Sequence, residues 1–384
     1  MNFSWTEEEL EFKQNAIDFA KRKLNKDSLE RDKKEEFSRQ IWKDCADHGI
    51  LGLSFDTKYG GTPLEIHKAM LFMEGLGYGC RESALLFGLN AQMWSVQFPI
   101  AKTGTEFQKE KYLKPLIKGE LIGAHGMSEP GSGSDAFGLN TKATKVDGGY
   151  LLSGTKMFVT NGPAADIAII FATTNKKIGH WGITAFIVET NSKGFDLGPN
   201  IPKMGLKTCT MGELFLQDCF VPDENVLGKQ GSGAAIFNSS MDWERSCILG
   251  SHIGEMEYQL ERCTQYANER IQFNKSIDQF QSVSNRLADM KLRLETSRLL
   301  LYRVAWLKKE NKSTAMDAAL AKLQISEAYV ASSMDAMRIH GGYGYLSEYG
   351  VERNLRDAMG GVLYSGTSDI QRNIIANQLK KESI

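Results

Sequence analysis

Between Ile122 and Gly228 the sequence changes its period, and that change limits what the chain can become. Inside this zone come GGYLLSGTKMFVTNG, IAIIFATT, GITAFIVET and GELFLQDCFVP, short β-branched and aromatic runs punctuated by Gly, Asn and Pro. Strand following strand without an intervening helix predicts antiparallel pairing and speaks against a parallel, doubly wound sheet. On either side apolar residues recur at helical spacing. Ahead of it, EEELEFKQNAIDFAKRKL carries Leu10, Phe12, Ala16, Phe19 and Ala20, and EFQKEKYLKPLIKG reads as a helix broken near Pro115. After it, Val283, Leu287, Met290, Leu294, Leu301, Tyr302 and Ala305 form the stripe of a bundle helix. The expected organisation is α+β and mostly α, with a helical domain at 1–121, a β domain at 122–228 and a helical bundle at 229–384.

Size and charge narrow the function. A chain of 384 residues exceeds what one core usually serves, and 46 basic against 47 acidic residues leave a net charge of -1, which disfavours nucleic acid as a partner. The stretch KRKLNKDSLERDKKEE mixes signs as a solvated helix face does. Cys45, Cys80, Cys209, Cys219, Cys247 and Cys263 form no CxxC, so neither a disulfide framework nor a zinc site is expected and a reducing cytoplasm fits. MNFSWTEEELEF lacks the pattern of a signal peptide, and no long apolar run predicts a membrane span. There is no GxxxxGK[ST], HExxH or GxSxG, and the pairs Gly131/Gly133 and Gly231/Gly233 do not complete GxGxxG.

Three stretches remain. GMSEPGSGSD, Gly126 to Asp135, interleaves glycine and serine so that backbone amides and hydroxyls can approach a pyrophosphate or a polar ring edge. KMFVTNG puts Phe158 and Thr160 on one face of a strand, an aromatic surface beside a hydroxyl. LYSGTSDIQR has the composition of a functional loop but no obvious base, since an unassisted serine hydroxyl titrates too high.

Together with KMGLKTCTMGELFLQDCFVPDENVLG, NERIQFNKSIDQFQSV and IHGGYGYLSEYGVERNLRDA, these motifs follow one another in the order found in the acyl-CoA dehydrogenase flavoproteins, and the chain resembles that family over its whole length. The resemblance implies an N-terminal helical domain, a middle antiparallel β-barrel and a C-terminal four-helix bundle. It also implies a homotetramer, non-covalent FAD and desaturation of acyl thioesters between Cα and Cβ. By the same resemblance His125, Met127, Ser128, Phe158 and Thr160 would contact the flavin, with Gly133 and Ser134 near the pyrophosphate. Arg270, Gln272, Phe273 and Gln281 would reach FAD across a subunit interface, and Arg338, Gly341, Gly342, Thr367 and Asp369 occupy matching late positions. Arg338 stands where glutamine is common and Phe158 where tryptophan is common.

The family's usual base, a glutamate before the Gly-Thr of the last motif, is Ser365 here. Glu244 in MDWER supplies a carboxylate elsewhere. Its helical neighbours Ser240, Met241, Cys247 and Ile248 are uncharged, while Asp242 and Arg245 are spaced to pair with each other. Desolvation would then raise its proton affinity. The isovaleryl-CoA type of dehydrogenase carries its base in a similar D-x-E-R segment. His125 and His340 are read as ring contacts or packing, not as the base. The displaced glutamate together with NAQMWSVQFPIAKTGTEFQKEKYL resembles the prolyl-carrier-protein dehydrogenases, which implies a prolyl group on a phosphopantetheine arm as substrate, with Asn90, Gln92, Trp94 and Ser95 lining a short pocket and Arg245 and Ser365 beside it. The electron acceptor would be an electron-transfer flavoprotein or oxygen. Alternatives are a short- or branched-chain acyl-CoA dehydrogenase and a flavin-binding scaffold without activity.

Overall fold

The computed structural model describes residues 4–382; Met1 to Phe3, the start of the acidic N-terminal stretch, lie outside the described residues. Helix α1 (Glu7–Phe19) opens on a capping box in which Thr6 and Glu9 satisfy each other's backbone N–H groups. Ala16, Phe19 and Ala20 are buried, but Leu10 is 50% exposed, against the expected stripe. At 100° per residue Leu10 and Phe19 point about 180° apart, so one face cannot hold both. Helices α2 (Ile66–Gly79), α3 (Ser83–Ala91) and α4 (Phe98–Thr103) follow.

A π-helical turn, Gln92–Gln97, joins α3 to α4, with the N–H of Phe98 reaching back to the Met93 carbonyl. Pro99 is the reason: it has no N–H for the Ser95 carbonyl, and the wider turn makes room for its ring. The same device removes the break expected near Pro115. Glu106–Gln108, a π turn at Lys109–Leu113 and Lys114–Ile117 run on as one helical stretch through the proline.

The middle zone holds β1 (Gly123–Gly126), β2 (Lys142–Val146), β3 (Gly149–Thr160), β4 (Ile167–Thr173), β5 (Ile183–Glu189), β6 (Phe195–Leu197), β7 (Met211–Pro222) and β8 (Val226–Leu227). They form an eight-stranded sheet in the order β6-β7-β3-β2-β4-β5-β8, with β1 added beside β4. Pairing is antiparallel except that β1 runs parallel to β4, and β2 meets β4 at one parallel pair, Lys142 and Thr173. Alternation decides the burial. Ile167, Ile169 and Phe171 face the helical core while Ala168, Ile170 and Ala172 face a second core inside the β domain, so β4 is apolar on both sides.

The C-terminal zone comprises α5 (Gly233–Cys247), α6 (Gly250–Glu269), α7 (Gln281–Lys309), α8 (Ala315–His340), α9 (Val351–Gly361) and α10 (Ser368–Glu382). From the expected stripe on α7, Met290, Leu294, Leu301 and Ala305 are buried. Helices α2 and α6 cross closely. A Cβ at Gly77 would lie 1.8 Å from the Ser251 carbonyl oxygen, and one at Gly254 1.8 Å from that of Glu74, so any larger residue would push the bundle off the N-terminal helices. All six cysteines are free and buried, and among the described residues no helix is long and apolar enough to cross a membrane.

Candidate active site

Glu244 lies in the last turn of α5 and is buried, 7% exposed. Its two carboxylate oxygens accept from two serine hydroxyls: Ser95 Oγ donates to Oε2 and Ser365 Oγ to Oε1. Ser95 comes from the π turn that Pro99 imposes. Ser365 comes from the loop before α10, where it and Gly366 both adopt left-handed backbone, at φ 56° and 86°. Serine in that region is strained by roughly 1–3 kcal/mol, so surrounding contacts must hold it. Arg245 Nε and Gln371 Nε2 both donate to the Ser365 carbonyl, at 3.1 and 3.2 Å, and Gln371 Nε2 also reaches the Gly366 carbonyl at 2.8 Å.

Burial pushes the Glu244 carboxyl above its ordinary 4.5, while the two serine hydroxyls and the nearby Arg245 and Lys322 charges pull it back. Lys322 on α8 is wholly buried, donates to the Gly361 carbonyl at 2.7 Å, and is pushed down to about 8 by burial and by Arg245. The expected Asp242–Arg245 pair does not form. Asp242 instead accepts from Lys308 at 2.8 Å and from Thr314. Their spacing allowed the pair, but the buried turn at Ser365 claims the guanidinium.

Of the four residues expected to line a short pocket, only Ser95 meets Glu244. Asn90 bridges Trp94 Nε1 and the Leu86 carbonyl, Gln92 bonds Gln97, the Leu116 carbonyl and the Gly123 N–H, and Trp94 packs against Phe55 and Trp243. Asn90 and Trp94 thus bond within α3 and its π turn, and Gln92 ties that turn to β1 and to the Lys114–Ile117 helix.

The glycine-serine loop lies beside β3. Met127 is buried, Ser128 is half-buried and its carbonyl accepts from Met157 N at 2.9 Å, while Gly133 and Ser134 are exposed. The loop is pinned by a pair that sequence reading missed: wholly buried Lys156 donates to Glu129 at 2.8 Å, and Glu129 also accepts from the Asn140 and Thr141 N–H groups. Burial pushes Lys156 down to about 8. Two positions on, a bulge in β3 turns Phe158 to φ 58° and leaves it 57% exposed, with Thr160 half-buried beyond it. His125 on β1 packs against Phe171 and Phe237, and burial with the Lys156 charge pushes it down to about 4, so it is neutral near pH 7.

Arg270, Gln272, Phe273, Arg338, Gly341 and Gly342 line a separate cleft with Tyr266, Ile277 and Phe280; Gln281 begins α7 next to it but is not on its wall. His340 stacks on Tyr266 and bonds the Ala336 carbonyl, a packing role. Thr367 caps Ile370 N at 3.2 Å, and Asp369, far out in solvent, pairs with Arg372 at 2.8 Å. Sixteen residues of α8 separate Arg338 from Lys322, about 24 Å of helix, so this cleft and the Glu244 region cannot hold the same small group.

These surroundings fit a flavin dinucleotide. His125 Nε2, Ser368 Oγ and Gln371 Oε1 are buried without a hydrogen-bond partner among the described residues. A Cβ at Gly133 or Gly342 would meet nothing within 4 Å, so the space beside both is open. Phe158, exposed and in left-handed backbone, could present its ring to such a group.

Comparison with known proteins agrees with this geometry. Residues 6–120 match the acyl-CoA dehydrogenase N-terminal domain, 124–219 the middle domain and 231–380 the C-terminal domain. An L-prolyl-[peptidyl-carrier protein] dehydrogenase of Pseudomonas fluorescens is 42% identical over 345 residues, 90% of this chain and 91% of that one. The crystal structure of the prolyl acyl carrier protein oxidase AnaB superposes with a TM-score of 0.97 at 44% identity, covering 98% of this chain and 100% of AnaB. PigA with FAD and proline gives 0.97 at 38%, covering 99% of each. With all three domains matched in order along the chain, the protein belongs to the acyl-CoA dehydrogenase family.

Proposed function

We propose that this protein is an FAD-dependent dehydrogenase that oxidises an L-prolyl thioester held on a carrier protein's phosphopantetheine arm, giving the dehydroprolyl thioester, with Glu244 as the base. Bound FAD supplies the two-electron acceptor for the hydrogen that leaves from the β-carbon. His125, Met127, Ser128, Phe158 and Thr160 would hold the ring, and Gly133 and Ser134 the pyrophosphate. The cleft residues Arg270, Gln272, Phe273, Arg338, Gly341 and Gly342 would meet the cofactor of a second copy, with Gln281, Thr367 and Asp369 at their margins. Assembly as a homotetramer, a cytoplasmic location, and re-oxidation by an electron-transfer flavoprotein or by oxygen belong to the same proposal.

The chain's own work is proton transfer. A carboxylate in a low-dielectric pocket is a stronger base than one in water, and two hydroxyl donors fix its plane while keeping it ionised enough to accept the α-proton. When Glu244 takes that proton, one serine can turn from donor to acceptor, since a hydroxyl can do either. Arg245 acts at one remove by holding the loop that presents Ser365.

The observation that carries this reading is the buried Glu244 carboxylate seated between Ser95 and Ser365, in the place left by the missing late glutamate. A scaffold without activity would have no use for it. The test is an anaerobic titration of the FAD-loaded protein with prolyl-carrier protein, butyryl-CoA and isovaleryl-CoA, following loss of flavin absorbance. Prolyl-carrier protein should bleach the flavin. Bleaching by the acyl-CoAs alone would make the protein a short- or branched-chain acyl-CoA dehydrogenase.

A further inference from the structure

A ladder of rings runs from open solvent to the interior beside α5. Trp181, 69% exposed, lies 5.0 Å from His180, His180 6.4 Å from Phe137, and Phe137 5.7 Å from Phe237. Phe237 in turn touches His125 at 5.8 Å. Phe237 and Glu244 are seven residues apart on α5, so they share a face and are separated by about 10 Å along it. The ladder therefore links the exposed Lys176–Gly182 segment to the α5 face that carries Glu244.

The rim is built, not loose. Its segment Lys176–Gly182 is closed at the base by Thr174 N and Oγ1 on the Gly182 carbonyl, at 2.8 and 3.0 Å, and by Lys177 N on Asn175 Oδ1 at 3.1 Å. A Cβ at Gly231 would lie 2.7 Å from the Trp181 carbonyl oxygen, so the segment also rests on the chain just before α5. It presents Ile178, 51% exposed, with Trp181. Lys176 and Lys177 are exposed; Lys176 Nζ donates to Asn140 Oδ1, and neither lysine forms an ion pair among the described residues. An exposed tryptophan beside unpaired cations is the composition of a binding hot spot, and it selects a partner offering an apolar ridge flanked by carboxylates.

We propose that Lys176, Lys177, Ile178 and Trp181 form the docking surface for the acidic face of the carrier protein that delivers the thioester, a reading that rests on the function proposed above. A substrate tethered to a protein obliges that protein to park its body where the arm enters, and the rim is that place. Phe137 and Phe237 then line the arm's path toward Glu244. Free acyl-CoA would use the path without needing the ridge.

The test compares the FAD-loaded wild type with Trp181→Ala and with Lys176→Glu/Lys177→Glu on three substrates: prolyl-carrier protein, prolyl-CoA and the prolyl thioester of pantetheine. For the carrier-bound substrate KM should rise about tenfold or more in each variant with kcat little changed, and the wild-type KM should rise with salt. Turnover of the pantetheine thioester should stay as it is in wild type. Unchanged KM for prolyl-carrier protein, or equal losses on all three substrates, would overturn the docking surface while leaving the reaction intact. Loss on prolyl-CoA as large as on prolyl-carrier protein in the lysine variant, with Trp181→Ala silent, would mean that the lysines bind phosphates, and would overturn it too. Wild type that reduces its flavin with none of the prolyl thioesters would defeat both proposals.

Discussion

At Glu244 both carboxylate oxygens accept hydroxyls from the same chain, and the loop carrying one of them is tied down by Arg245 and Gln371. At the far end of α8 the situation is reversed: Phe273 is 87% exposed on a two-stranded hairpin, at φ 50°, and Gly342 faces empty space. The first region is completed by its own fold, whereas the second is left open. The difference fits the roles proposed for each. A proton-transfer group needs a fixed position and a desolvated setting before substrate enters, while a surface that grips a large cofactor or another copy has to stay open until then.

Glu244→Gln should break that comparison hardest. Turnover is expected to fall about 10³-fold, inside the range for loss of a positioned base, with FAD content and spectrum unchanged. Single-turnover reduction of the flavin by the prolyl thioester measures it directly. A rate within tenfold of wild type would place the base elsewhere.

Phe273→Ala probes the open region. FAD should dissociate about tenfold more readily, read by the recovery of free-flavin fluorescence, while the stability of the cofactor-free chain moves by no more than about 0.5 kcal/mol, as for an ordinary exposed position. Equal FAD retention would reduce the cleft to plain surface.

Ser365→Ala sharpens the account of Glu244. One hydrogen bond to the ionised form is removed, so the carboxyl's proton affinity, already raised by burial, should rise further. The acid limb of kcat/KM against pH should shift upward, with a several-fold loss at neutral pH. A limb that stays still or moves down would show that this hydroxyl does not govern the carboxylate.

How much of this could be read in advance depended on distance along the chain. The order of helical, β and helical zones was legible because periodicity is local, as in IAIIFATT, whose unbroken apolar character matches a strand buried on both faces. Glu244 was reached through the family resemblance, from the serine in the late glutamate's position and from the likeness of MDWER to a D-x-E-R segment. Its two hydroxyl partners lie 149 and 121 positions away, and no local pattern could bring them together. The Arg245 pairing was misread for a related reason: helical spacing lists what can meet on one helix, but not the buried carbonyl that another loop brings to it. Lys156 and Glu129 also escaped notice, since lysine and glutamate in strand and loop normally face water, and only the closed fold shows them buried together. Pro115 looked like a breaker because a π turn has no sequence signature of its own.

The smallest effect is also the most diagnostic. Burial raises the Glu244 carboxyl above its ordinary 4.5, so the folded protein holds this proton more tightly than the unfolded chain does. The stability that goes with that proton is complete below pH 4.5 and is lost as pH rises through the raised folded value, because the folded state must then bury a charge. Glutamine does not titrate, and its amide can both accept from one serine and donate to the other. Glu244→Gln should therefore unfold at a higher temperature than wild type near pH 7.5, with the gap closing as pH is lowered toward 4, in melts of the FAD-loaded protein. A gap of the same size at both pH values would mean that the carboxylate is not held in a desolvated site. A gap that grows with pH would show stability given up at the position where the chain needs a base, as expected where function and folding compete for one side chain.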